Sequence, residues 1–358
     1  MRISIPNITS NGTYTPVLLP VTQTIQRLVD FLGASTGTAV LTGAGVSVAS
    51  GIRAYRGDHG RYINPNYKPI LYQELVDKGE KGAGFRKRYW LRSYLGYPPV
   101  RDAMPNTSHT AIAAGMHGSM FKRLITQNVD GLHVKALRPF WDASNVRNHI
   151  LELHGTLFRV HCQRGHVFDR DEFQGMLSES NPEWKQFADE LERTGQKPRT
   201  NPDGDVALDG VAYDEFVVPN CRECLVEGRT NSVLKPDVVF FGESIKGWVK
   251  DRSFRDVEDC DRLLVIGTTL ATYSAFRLVK HAVELNKPVF VLNMGPTRAD
   301  GLPGIQKVDG LSGSVLSEVV RTILGSDIIR DPALNTLLSS GVTCPPPDDV
   351  HDMPKGPG

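Results

Sequence analysis

Leu41-Thr42-Gly43-Ala44-Gly45-Val46-Ser47-Val48-Ala49-Ser50-Gly51-Ile52-Arg53-Ala54-Tyr55-Arg56-Gly57 is the stretch on which the reading of this chain turns. It follows Ala39-Val40-Leu41, a short apolar run with the look of a buried strand. Gly43 and Gly45 allow a tight turn and a close approach of backbone to ligand, because neither carries a Cβ. Small residues at Ala44, Ser47, Ala49 and Ser50 leave backbone N–H groups open to a pyrophosphate. The ordinary dinucleotide fingerprint is incomplete, since Val48 stands where its third glycine belongs and no acidic residue follows at ~20 positions. A plain tight turn is the competing reading of Gly-x-Gly after a strand.

The flanking sequence decides between the two. Residues 22–32 place Ile25, Leu28, Val29 and Leu32 on one helical face, with Gly33 as the stop. Apolar runs then recur at 123–126, Val238–Phe241, Leu263–Ile266 and Val289–Leu292, with helical patterns at 111–116, 275–285 and 315–324. Strands alternating with helices predict a parallel sheet covered on both faces. The strand ends carry Thr42-Gly43-Ala44-Gly45, Thr126-Gln127-Asn128, Gly242-Glu243, Gly267-Thr268-Thr269 and Asn293-Met294-Gly295. Ligands of such sheets bind outside the carboxyl ends of the strands, and five loops of Gly, Thr and Asn there describe a nucleotide cleft.

The expected fold is therefore α/β, a Rossmann-like doubly wound parallel sheet from residues 21–58, 106–158 and 232–325. Residues 59–105 read as an inserted helical module and 159–231 as a second, loop-rich insert. Residues 1–20 and 331–358, the latter rich in Pro, Asp and Gly, are expected to lack structure. A chain of 358 residues has room for one large domain and a smaller one. A net charge of +1 gives no electrostatic reason to expect nucleic acid, and no apolar run reaches membrane-spanning length. Five cysteines, two of them in Cys221-x-x-Cys224, favour a reducing compartment and a metal over a disulfide framework. Met1 to Pro20 is acid-free and rich in Ser and Thr, as transit peptides are, yet its only basic residue is Arg2.

In chain order, Gly43-Ala44-Gly45-x-Ser47, Thr126-Gln127-Asn128-Val129-Asp130-Gly131-Leu132-His133, Leu153-His154-Gly155, the Cys pair, Lys235-Pro236-Asp237-Val238-Val239-Phe240-Phe241-Gly242-Glu243, Gly267-Thr268-Thr269 and Asn293-Met294-Gly295 resemble the sirtuins. Arg88-Tyr89-Trp90, Pro202-Asp203-Gly204-Asp205-Val206 and Gly295-Pro296-Thr297-Arg298 are most similar to the class II, mitochondrial-type branch. The resemblance implies a large NAD-binding domain, a small zinc module and NAD-dependent removal of acyl groups from lysine, giving nicotinamide and O-acyl-ADP-ribose. It implies acyl-lysine proteins as partners and an intracellular place, the mitochondrial matrix by resemblance with cytoplasm or nucleus as alternatives; a monomer is expected.

The roles it implies are these. His154 is the general base, supported by Asn128, because an imidazole titrating near neutrality can take a ribose proton. NAD is held by Gly43, Ala44, Gly45, Ser47, Gly51, Tyr55, Arg56, Gln127, Asn128, Asp130, Gly267, Thr268, Thr269, Asn293 and Gly295. The acylated peptide pairs along a strand edge formed by Val238, Phe240, Phe241, Gly242 and Glu243. Tyr89 and Arg92 match the Tyr-x-x-Arg pair that one branch uses for acidic acyl groups, with an ordinary surface helix as the alternative. Zinc falls to Cys162, Cys221 and Cys224. The family's fourth cysteine is Gly165 here, so either His166 completes the site or the metal has been lost. A second departure is Ala54, where the family has an aspartate beside the nicotinamide carboxamide. Mono-ADP-ribosyl transfer and NAD binding without turnover are the rival functions.

Overall fold

A computed structural model describes residues 16–56, 69–196, 200–206, 208, 211–230 and 232–346. Among the described residues nine strands form two sheets: β1 (Thr38–Thr42), β2 (Phe121–Thr126), β3 (Ile150–Glu152), β4 (Gly155–Cys162), β5 (Val167–Asp169), β6 (Leu234–Val238), β7 (Arg262–Ile266), β8 (Val289–Leu292) and β9 (Ile305–Val308). Six of them make one sheet in the order β3-β2-β1-β7-β8-β9, every pair parallel. Because β1 is central and each neighbour is reached by a crossover, helices cover both faces. The strand side chains alternate accordingly. Val40 packs into the layer that holds Leu28, Phe31 and Ile112, whereas Ala39 and Leu41 face the layer of Val257, Leu278 and Val279.

The second sheet is small and antiparallel, in the order β5-β4-β6. The two inserts do not keep separate cores. Leu75, Tyr89, Trp90 and Leu91 from the first pack with Val160, Phe173, Trp184 and Phe216 from the second in a single cluster. Within it the Trp90 indole donates to the Leu234 carbonyl at 3.2 Å, tying the long helix Glu80–Asp102 to β6.

Three expectations are corrected. The run Val238–Phe241 is not a strand of the parallel sheet; β6 ends at Val238 and belongs to the small sheet, and residues 239–241 continue as irregular wall. Its apolar composition reflects burial between the two sheets rather than membership of the large one. The large sheet also holds two edge strands beyond the runs expected, β3 and β9, which at three and four residues are too short to stand out in the sequence.

The third correction concerns the chain ends. Residues 331–346 were expected to lack structure, but Pro332–Ser339 is a helix whose Leu334, Leu337 and Leu338 are buried in the main core. Asp331 caps it through the Ala333 N–H at 2.8 Å. Beyond the helix, Cys344 N–H donates to the Ala49 carbonyl at 2.8 Å. At the other end, Asp309 N–H bonds the Val17 carbonyl and Leu19 packs on the core. Residues 1–15 and 347–358 lie outside the described residues, as does 57–68 within the first insert.

Candidate active site and metal centre

The carboxyl ends of β1, β2, β7 and β8 open into one cleft of ≈ 1810 Å³ between the two sheets. Typical small-ligand pockets hold about 300–1,000 Å³, so the space suits a dinucleotide together with a second ligand. Gly43, Ala44, Gly45, Ser47, Tyr55, Arg56, Gln127, Asn128, Asp130, His154, Val238, Phe240, Phe241, Gly242, Glu243, Gly267, Thr268, Thr269, Asn293 and Gly295 all line it. The glycines of the first loop have a further reason to be there. A Cβ on Gly45 would stand 2.8 Å from the Gly267 carbonyl oxygen, and one on Gly43 2.5 Å from Thr268. They let two strand-end loops lie against each other as well as against a ligand. Gly51 does not line the cleft; it turns the chain at a φ of +83°.

The floor is a closed hydrogen-bond network. Asn106 N–H donates to His109 Nδ1, so the proton of that ring sits on Nε2, 3.4 Å from Ser47 Oγ. Ser47 also accepts from the Asn128 amide at 3.0 Å and donates to Asp130 at 2.7 Å. Burial raises the Asp130 pKa, opposed by the Leu132 N–H and the Ser47 hydroxyl. Gln127 is used up in the wall: its amide nitrogen donates to Thr268 Oγ1 at 2.9 Å, and its amide oxygen accepts from Thr272 at 3.1 Å.

His154 sits on the turn between β3 and β4, half-buried in the cleft wall. Gly155 follows because the chain must double back at once. Its φ is +81°, and a Cβ there would fall 1.8 Å from the Asp237 carbonyl oxygen. The imidazole Nδ1 faces the Gln127 carbonyl at 3.2 Å; a carbonyl only accepts, so Nδ1 carries the proton. Nε2 is therefore a free base, accepting from the Ser274 hydroxyl at 2.7 Å. Burial pulls the pKa down to about 4, with Arg277 adding to the effect and the Gln127 carbonyl opposing it. The ring is neutral at physiological pH.

Two expected substrate residues lie elsewhere. Tyr89 is buried in the shared insert core, edge-on to Phe240. Arg92 pairs with Asp205 and donates to the Val206 carbonyl, so both ends of Tyr89-x-x-Arg92 serve packing. The helical spacing that puts them on one face directs that face inward. Sequence reasoning also expected a free strand edge over Val238–Glu243. Here Val239 N–H donates to the His154 carbonyl, Phe240 N–H to Glu243, and Tyr72 N–H takes the Phe241 carbonyl. Thr272, Ser274, Arg277 and Arg298 line the cleft and were missed, because Gly267-Thr268-Thr269 drew attention to its own three residues.

Cys162, His166, Cys221 and Cys224 converge below the small sheet, all four donor atoms within 4.8 Å of one another. His166 Nδ1 lies 3.5, 3.4 and 3.5 Å from the sulfurs of Cys162, Cys221 and Cys224, and Cys162 and Cys224 are 3.9 Å apart. A tetrahedron of three thiolates and one imidazole around zinc requires S···N of ~3.6 Å and S···S of ~3.8 Å. The group fits zinc. Gly165 makes the turn at φ +93° that brings His166 round, where the family's cysteine would stand one residue earlier. Glu227 lies 3.6 Å from His166 Nε2, in the place of the outer carboxylate that orients a ligating histidine. Four protein ligands leave no open position, so such a metal is structural.

The model of the Sir2 family matches residues 43–274. The chain belongs to the Sir2 family. Among relatives, "NAD-dependent protein deacylase SIR4" of Batrachochytrium dendrobatidis is 44% identical over 314 residues, 86% of this chain and 97% of the relative. "NAD-dependent protein deacylase Sirt4" of Drosophila melanogaster is 35% identical over 319 residues, 88% and 93% of the two chains. Among solved structures, a Sir2 homologue–ADP-ribose complex superposes with a TM-score of 0.58 at 25% identity, covering 83% of this chain and 96% of that one. A Sir2 homologue–NAD complex gives 0.55 at 25%, covering 83% and 93%. This sirtuin thus shares its fold over most of its length with proteins of known structure.

Proposed function

We propose that this sirtuin removes acyl groups from protein lysine side chains at the expense of NAD. The observation that carries the reading is His154: a neutral imidazole with its Nε2 lone pair in the wall of a cleft large enough for NAD and an acyl-lysine. A protein that only bound NAD would have no use for that base. NAD bound there would supply an electrophilic ribose carbon; the acyl oxygen would displace nicotinamide from it, and with one water consumed and the lysine C–N bond broken the acyl group would end on ADP-ribose and the lysine amine would be freed.

The loops at Gly43–Ser47, Gly267–Thr269 and Asn293–Gly295 hold the phosphates and the adenosine end. Asn128 and Asp130 present short polar groups to the nicotinamide ribose, held in place by Ser47. Tyr55 and Arg56 close over that ribose. Ala54 lines the same wall, and a methyl group there offers the carboxamide no hydrogen bond. Val238 to Glu243 bounds the peptide side. His154 takes the ribose hydroxyl proton on Nε2, its Nδ1–H anchored on the Gln127 carbonyl. Likeness to the class II branch and to the Drosophila protein supports the mitochondrial matrix.

His154→Ala tests the base. Loss of a general base costs about 10²–10⁴ in rate, and the imidazole touches no phosphate loop. Deacylation should fall by that factor while NAD affinity, read by calorimetry, stays within a few-fold. More than a tenth of the parent rate in the variant overturns the assignment.

A further inference from the structure

We propose that Ser274 is a positioning residue for His154: its hydroxyl grips the base nitrogen that will receive the ribose proton. This rests on the reaction proposed above. Ser274 is the second residue of the helix Tyr273–Glu284 and half-buried in the cleft wall. Its Oγ stands 2.7 Å from His154 Nε2, while the Gln127 carbonyl holds Nδ1 at 3.2 Å from the opposite side. The ring is thereby clamped at both nitrogens, and only one tautomer satisfies both partners.

The clamp is part of one built turn. Thr268 Oγ1 accepts from the Gln127 amide at 2.9 Å, and Thr272 Oγ1 donates to the same amide at 3.1 Å. Between them Leu270, fully buried, adopts a left-handed φ of +55°, and its N–H bonds Thr268 Oγ1 at 3.1 Å. A bulky residue rarely takes that conformation and keeps it only where the surroundings impose it. Here the bend points three hydroxyls from a single turn at Gln127 and His154. In the free protein Ser274 occupies the direction from which a substrate hydroxyl must approach Nε2. An arriving hydroxyl takes over an imidazole already aligned and already in the accepting tautomer.

Ser274→Ala removes the hydroxyl and keeps the helix start, since alanine is the better helix former. With one neutral hydrogen bond gone, kcat for deacylation should fall about 3- to 10-fold while the Michaelis constant for NAD stays within twofold. Ser274→Thr, which restores a hydroxyl, should recover most of the rate. The nitrogen-15 NMR signals of His154 in ligand-free protein provide the readout that a merely structural role would not move. Ser274→Ala should shift the Nε2 resonance toward that of an unbonded nitrogen, and Ser274→Thr should return it. An unmoved Nε2 signal, or an unmoved kcat, overturns the proposal. Parent protein that yields no free lysine from any acyl-lysine peptide overturns the reaction itself. Parent turnover with an unaffected Ser274→Ala overturns only the serine's part.

Discussion

His154 shows how far a motif carries and where it stops. Its place before Gly155 is legible, because Leu153-His154-Gly155 falls in order among other family motifs. Its protonation state is not, since that depends on the Gln127 carbonyl, on Ser274 and on Arg277, which meet it only in three dimensions. Ser274 lies 120 residues away, and no local pattern links the two. The state has a consequence for pH. A base must be neutral to accept a proton, and burial depresses the pKa from 6.5 to about 4, so His154 stays competent well below the usual histidine range. The acidic limb of kcat/KM, measured in brief assays at pH values where the protein holds its fold, should therefore fall clearly below pH 6.5. A limb at or above 6.5 would contradict the buried, neutral ring. Tyr89 and Arg92 mark the opposite case. Their spacing is suggestive, yet Trp90 beside them and Asp205 across the insert draw both into the core.

At the scale of elements, the small sheet and its cysteines were only half legible. Cys221-x-x-Cys224 announces a metal, but the replacement of a cysteine by Gly165 left the fourth ligand open between His166 and none. The turn at Gly165 favours His166, because it swings the His166 Nδ1 to within 3.5 Å of all three sulfurs. The insert's helices Arg170–Ser180 and Pro182–Thr194 pack into the shared core, so a metal here would tie the end of β4 to the Cys221–Cys224 turn rather than hold the whole insert. Elemental analysis of protein purified without added zinc should find about one zinc per chain. Cys221→Ser should lose it and His166→Ala should bind it more weakly. A zinc-free parent protein contradicts the site, and full retention in His166→Ala removes the histidine from it. The helix Pro332–Ser339 escaped notice for a different reason. Eight residues leading toward Pro345-Pro346-Pro347 look like tail, and only the packing of Leu334, Leu337 and Leu338 against the main core holds them in a helix.

Over the whole molecule, the parallel sheet was the most legible feature, since strands buried on both faces read as continuous apolar runs. Edge strands β3 and β9 are three and four residues long, and β6 serves the other sheet, so the full strand order needed the structure. What the two sheets build together is a cleft lined by glycine- and threonine-bearing loops at the strand ends, by the neutral imidazole of His154 and by the segment Val238–Glu243. Among the described residues no helix is long and apolar enough to cross a membrane. The most direct measurement of the central claim is stoichiometry: incubate the protein with NAD and a panel of acyl-lysine peptides, and quantify nicotinamide, deacylated peptide and acyl-ADP-ribose in the same samples. The account predicts all three in equal amounts for at least one acyl group. Nicotinamide released with the acyl group retained and ADP-ribose added to protein, or no nicotinamide released with any peptide, would contradict it.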